Sequence, residues 1–105
     1  MKNLQSYSDF EKTLVEVKPP ENWSKELKSV WYQTKGNWDK SHLLAQDIHN
    51  SMGSRIHAHL HRYEGDEWNA KYWYKQAGRT FPSISLKKEL KLLVKEIINT
   101  AELKA

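Results

Sequence analysis

His57, His61 and Glu64 follow one another at intervals of four and three residues. On a helix all three side chains share one face. Two imidazoles one turn apart are a workable ligand pair for Zn, Ni or Fe, and a carboxylate one turn further on can complete three ligands. His42 or Asp39, in the preceding helical segment, can supply another. The chain contains no HExxH and no repeated Glu-x-x-His pair of the di-iron type. The competing reading is packing. His57 and His61 lie near Ala58, on the side of their helix that closes a hairpin, where they meet Ala70, Trp73 and Tyr74. A buried neutral histidine donating to a carbonyl, a phenol or a carboxylate makes a polar tie, because buried polar groups need partners. Packing is the preferred reading, and a metal held by His57, His61, Glu64 and His42 is the alternative.

The elements that position these residues follow from composition and spacing. A chain of 105 residues is read as one domain. Hydrophobic content of 38% is low, but five Trp, five Tyr and two Phe compensate, since each buried ring removes roughly 150–250 Å² from water. The absence of cysteine leaves no disulfide framework, no thiolate-held zinc and no thiol nucleophile. Neither a signal-peptide apolar stretch nor a membrane-spanning run is present, so a cytoplasmic location is expected. The net charge of +4 permits an anionic partner without requiring one, because acidic residues are interspersed.

Apolar spacing is helical nearly throughout, with no convincing period-2 strand. Ser8 and Glu11 have capping-box spacing and predict a short helix from Asp9, ended near Val17 by Pro19 and Pro20. Further helices are predicted at about 22–35, 38–50, 55–64, 67–77 and 85–103, with "NSMGS" as the break between the third and fourth. Gly36-Asn37 and Gly65-Asp66 each combine a C-terminal glycine with an N-cap for the next helix.

These two turns are part of a repeat. "GNWDKSHLLAQDI" aligns with "GDEWNAKYWYKQA" at a constant offset of 29 residues, pairing Ser41 with Ala70, Ala45 with Tyr74 and Ile48 with Ala77. The small residue marks where two helices of a hairpin cross closely. The second copy, with Ala58, Gly65-Asp66, Ala70, Tyr74, Ala77 and Pro82, resembles a tetratricopeptide repeat. The first, with Ser29, Tyr32, Gly36-Asn37, Ser41 and Ala45, matches less fully, and the offset is shorter than the roughly 34 residues of that family. The segment 31–79 also resembles a group of small bacterial proteins without an assigned activity. The tetratricopeptide likeness implies an all-α, right-handed stack of two antiparallel hairpins (about 22–50 and 51–82). Capping helices at the N- and C-terminal ends complete the expected fold.

In such an array one side of the first helix of each hairpin lines a concave groove, which here implies Arg55, His59 and Arg62 as a receptor for an acidic peptide. An ordinary solvated face is the alternative for these three. Trp68 and Tyr72, one turn apart, are candidates for a surface platform, with packing against the last helix as the competing reading. Lys87, Lys88, Lys91 and Lys95 form a basic face interrupted by Glu89 and Glu96, the pattern of a surface helix, so nucleic-acid binding is disfavoured. No phosphate loop, nucleophile elbow or nucleotide fingerprint is present. The expectation is a non-catalytic helical-repeat protein that binds a protein or peptide, with self-association as a further option and no cofactor. A small metal- or ligand-binding protein, enzymes included, is the alternative.

Overall fold

A computed structural model describes residues 4–104, with side chains to residue 100. Among the described residues there are six α-helices and no strand. They are α1 (Tyr7–Lys12, extended by a 3-10 turn at Thr13–Val15), α2 (Lys25–Thr34), α3 (Trp38–Gln46), α4 (Ser51–Tyr63), α5 (Glu67–Gln76) and α6 (Leu86–Lys104). No helix among them is long and apolar enough to cross a membrane.

The helices pair as two hairpins, α2 on α3 and α4 on α5, with α3 against α4 between them. Both hairpins turn on the same device. Gly36 and Gly65 sit at φ +85° and +84°, a conformation that carries little penalty only for glycine. Their N–H groups reach Gln33 and Arg62 carbonyls, and the next N–H reaches back to Tyr32 or His61, which satisfies the last carbonyls of α2 and α4. Asn37 and Asp66 then cap α3 and α5 by accepting from the N–H groups of Lys40 and Asn69. At the crossings the small residues are fully buried in both hairpins: Ser29 with Ser41 in the first, Ala58 with Ala70 in the second.

Several boundaries differ from expectation, among them the end of α3, at Gln46 and not near 50. Ser6, not Ser8, caps α1 through the Asp9 N–H at 3.1 Å. Asp9 in turn accepts from the Gln5 N–H, so a competing cap two residues upstream prevails. Ser24 caps α2 at the Leu27 N–H, later than the predicted start at 22, because residues 20–23 close their own turn from Trp23 N–H to the Pro20 carbonyl. "NSMGS" is not a break between helices. Asn50 caps α4 at the Gly53 N–H, 2.9 Å away, and Gly53 lies inside the first turn. A Cβ there would stand 2.2 Å from the Ile48 carbonyl oxygen. The glycine serves close approach of the incoming chain, not chain reversal.

The larger correction concerns α6. It was expected as a cap over one end of the stack, but it packs across α2 and α4, the first helices of both hairpins. Leu93, Val94, Ile97 and Ile98 are buried there against Leu27, Val30, Trp31, Ile56 and Leu60, with Phe10 of α1 closing the core. Each such aliphatic side chain contributes about 1.5–3 kcal/mol on burial. Two indoles set in this framework have their N–H groups satisfied: Trp31 donates to Thr13 Oγ1 at 3.0 Å and Trp38 to the Leu60 carbonyl at 2.8 Å.

Candidate functional site: an imidazole cluster beside a closed groove

The two faces of α4 hold different chemistry. On one, His57 and His61 lie one turn apart with their rings stacked at 5.0 Å and 17°. His42 of α3 meets them nearly edge-on, its centroid 4.6 Å from that of His57 and 5.5 Å from that of His61. His42 Nε2 is 2.9 Å from His57 Nε2. One ring nitrogen from each of His42, His57 and His61 lies within 4.8 Å of the other two.

Indole rings fix two of these imidazoles. Trp73 of α5 lies flat on His57 at 4.1 Å and 6°, and Trp38 lies flat on His42 at 4.7 Å and 9°. Flat stacking sets each ring plane and leaves only the ring edges, where the nitrogens are, free to interact. His61 Nδ1 donates to Glu64 Oε1 at 2.7 Å. Its Nε2, at the other edge of the ring, lies outside that bond.

Electrostatics keep His42 and His57 neutral. Burial, with His42 and His61 alongside, pulls His57 down to about 4. His42 is lowered too, by burial first and then by His61, against the opposing pull of Glu64 and Asp39. Near pH 7 the facing Nε2 atoms of His42 and His57 therefore share a single proton, one donating and the other accepting. His57 is buried, whereas His42 and His61 are partly open to solvent. Beyond His57 a surface cavity of about 520 Å³ is lined by Gln46, His49, Ser54, Trp73 and Gln76, among others.

The structure thus brings together His42, His57 and His61 from the predicted set. It places Glu64 behind His61 and not as a third ligand to the helical pair. A second grouping, His61, Glu64 and Asp66, also lies within ligand distance, but Asp66 Oδ1 and Oδ2 already accept from the Asn69 backbone and side-chain amides. The packing expectation holds for Trp73 against His57. Tyr74 is engaged elsewhere.

The opposite face of α4 carries Arg55, His59 and Arg62, and α6 covers it. His59 Nδ1 donates to Glu89 Oε1 at 2.8 Å, and Arg62 Nη1 donates to the same oxygen at 2.9 Å. The Tyr74 hydroxyl donates to Glu89 Oε2, and Arg62 Nη2 donates to the Ile84 carbonyl. Arg55 donates to Glu96 Oε2 at 2.8 Å, with Arg79 near the other oxygen. Burial by itself would push the Glu89 carboxyl up. Donation from His59, Tyr74 and Arg62 together outweighs it and holds the group below the usual carboxylate range. Tyr74 is raised, by burial first and by Glu89 second. His59 Nε2 is buried without a hydrogen-bond partner among the described residues.

The groove expected at Arg55, His59 and Arg62 is therefore filled from within. The physical reason is that Glu89 and Glu96 are seven residues apart, in phase with the Leu86, Leu90, Leu93 and Ile97 stripe, so the carboxylates arrive on the buried side of α6 with the apolar residues. The lysines at 87, 88, 91 and 95 stay exposed, as expected.

Trp68 and Tyr72 of α5 do not pack on α6. They are 78% and 50% exposed, and Tyr72 meets Trp73 edge-on at 5.2 Å. Leu43, which the 29-residue register pairs with Tyr72, is also exposed. Comparison with protein-family models, curated proteins and solved structures finds no match to this chain.

Proposed function

We propose that this chain is a non-catalytic helical-hairpin protein that binds an acidic, amphipathic peptide segment of a protein partner through α5. The observation that carries this reading is the exposure of Trp68 and Tyr72, 78% and 50%, one turn apart on a helix whose other aromatic residues pack inward. Large exposed aromatic rings are the side chains that most often dominate protein interfaces. Lys71 and Lys75 adjoin them on the same helix and are exposed. Two rings bordered by two ammonium groups complement apolar side chains flanked by carboxylates.

The resemblance to tetratricopeptide hairpins supports an interaction role through the shared Gly-Asp turn and the Ala58–Ala70 crossing. It does not locate the surface in the usual place, because α6 occupies the side of α2 and α4 where peptides would lie. The setting we infer is the bacterial cytoplasm, in keeping with the lack of cysteine and with the likeness to small bacterial proteins.

The test uses a fluorescently labelled helical peptide bearing Leu and Glu at i, i+4 spacing, titrated with the full chain and followed by anisotropy. The expected result is saturable binding that weakens with salt and is lost in the Trp68→Ala/Tyr72→Ala variant. Equal binding by that variant, or no binding by the native chain, overturns the reading. Self-association through the same rings would appear as a mass that depends on concentration and on Trp68 in light scattering.

A further inference from the structure

We propose that His42, His57 and His61 form a binding site for one divalent transition-metal ion of the imidazole-preferring class, with Zn²⁺, Ni²⁺ and Fe²⁺ as the candidates. Two features of the geometry carry the assignment, and it is independent of the peptide surface on α5.

The first is convergence. Three imidazoles from two helices bring one nitrogen each within 4.8 Å of the other two. In a tetrahedral site with metal–nitrogen bonds of about 2.0–2.1 Å, ligand nitrogens stand about 3.3 Å apart. The His42 and His57 nitrogens, at 2.9 Å, need only separate slightly. The His61 nitrogen, within 4.8 Å of both, has the further distance to close.

The second is support behind the ligands. Metal-bound histidines usually donate their other N–H to a carboxylate, carbonyl or water, which sets the tautomer and raises ligand basicity. His61 has this arrangement through Glu64 at 2.7 Å. Trp38 and Trp73 perform the orienting role for His42 and His57 by stacking.

Three protein ligands leave a fourth position for water or a small anion, as in catalytic rather than structural zinc sites. The partial exposure of His42 and His61 provides the path for the ion.

The experiment is calorimetric titration of chelator-stripped full-length chain with Zn²⁺ and Ni²⁺, with Co²⁺ as a spectroscopic probe. The expected result is one ion per chain with Kd of about 10 μM or tighter. The d–d bands of Co²⁺ should indicate imidazole ligation, and Trp fluorescence should change because two indoles touch the ligands. His42→Ala and His61→Ala, at partly exposed positions where the fold tolerates change, should abolish the stoichiometric heat. Glu64→Gln should weaken binding about 10–100-fold. His49→Ala, outside the cluster, should bind as the native chain does, and circular dichroism checks that each variant is folded. Affinity weaker than about 100 μM, or affinity that survives both cluster variants, overturns the site. Peptide binding by α5 is unaffected by either outcome.

Discussion

His57 and His59 are two residues apart on α4, both buried, and they meet opposite surroundings. His59 faces a carboxylate that also receives Arg62 and Tyr74. His57 faces imidazoles and an indole, and the nearest charges are at one remove. Burying a titratable group requires either a hydrogen-bonded counter-charge or suppression of the charge itself. α4 uses the first solution toward α6 and the second toward α3 and α5. The first fixes one helix against another. The second leaves nitrogen lone pairs converging at a partly open surface, and that difference separates a structural clasp from a candidate site.

The clasp should give the largest response to mutation. Glu89→Ala leaves Arg62 and His59 facing a buried vacancy and should cost about 3–5 kcal/mol, the usual result of removing one partner of a buried ion pair. Glu89→Gln keeps acceptor capacity and should cost less. Urea denaturation of both variants checks the order. On the other face His57→Ala removes a stacked ring but strands no charge, so a smaller loss is expected. Equal losses on the two faces would erase the distinction between them.

Acid should separate the two faces by pH window. The folded His57 is held near 4 against an ordinary value of 6.5, so between those values the unfolded chain binds more protons. Its contribution is complete above pH 6.5 and is lost as pH falls toward 4. Glu89 is lowered below 4.5. Its contribution is present above that value and lost only as pH falls through the lower folded one. Stability measured by denaturant at several pH values should therefore fall in two stages. Replacing both His42 and His57 by Gln should flatten the upper stage, and Glu89→Gln should shrink only the lower stage, to which the lowered Glu96 also contributes.

Much of this arrangement is legible in the sequence, and the exceptions share a cause. The Gly-Asn and Gly-Asp turns, the small-residue crossings and the one-face spacing of His57, His61 and Glu64 are local, set by a few neighbouring residues. His42 was legible as a neighbour of that pair, because it lies on the helix before. The closure of the groove was not, because it depends on which side of the hairpins α6 chooses. The available signal was Glu89 and Glu96 lying in phase with the Leu stripe, where a solvated face would place them out of phase. The exposure of Trp68 and Tyr72, for which packing on the last helix was the competing reading, has the same origin, since the side α6 takes is also the side that leaves α5 bare. Gly53 shows the converse error, a glycine read as a break when its function is contact. Gly53→Ala should keep α4 helical yet cost about 1–3 kcal/mol by overpacking against the Ile48 carbonyl. A neutral outcome in thermal unfolding would mean that the α3–α4 junction yields easily.

The smallest expected effect compares the two hairpins at their crossings. Ser29 Oγ donates to the Ser41 carbonyl at 2.8 Å and lies 3.1 Å from Ser41 Oγ, where the second hairpin has Ala58 against Ala70. Ser29→Ala alone leaves the buried Ser41 hydroxyl without this partner and should cost about 1–2 kcal/mol. Replacing both serines gives the first hairpin the crossing of the second. It should cost less than the single change, under about 1 kcal/mol, because no polar group is then stranded. A double-mutant cycle measured by urea unfolding reads the difference directly. Additive losses would mean that the first crossing relies on its hydroxyls. A sub-additive result would make the two crossings equivalent solutions to one packing problem, with the hydroxyl pair a replaceable detail of the first.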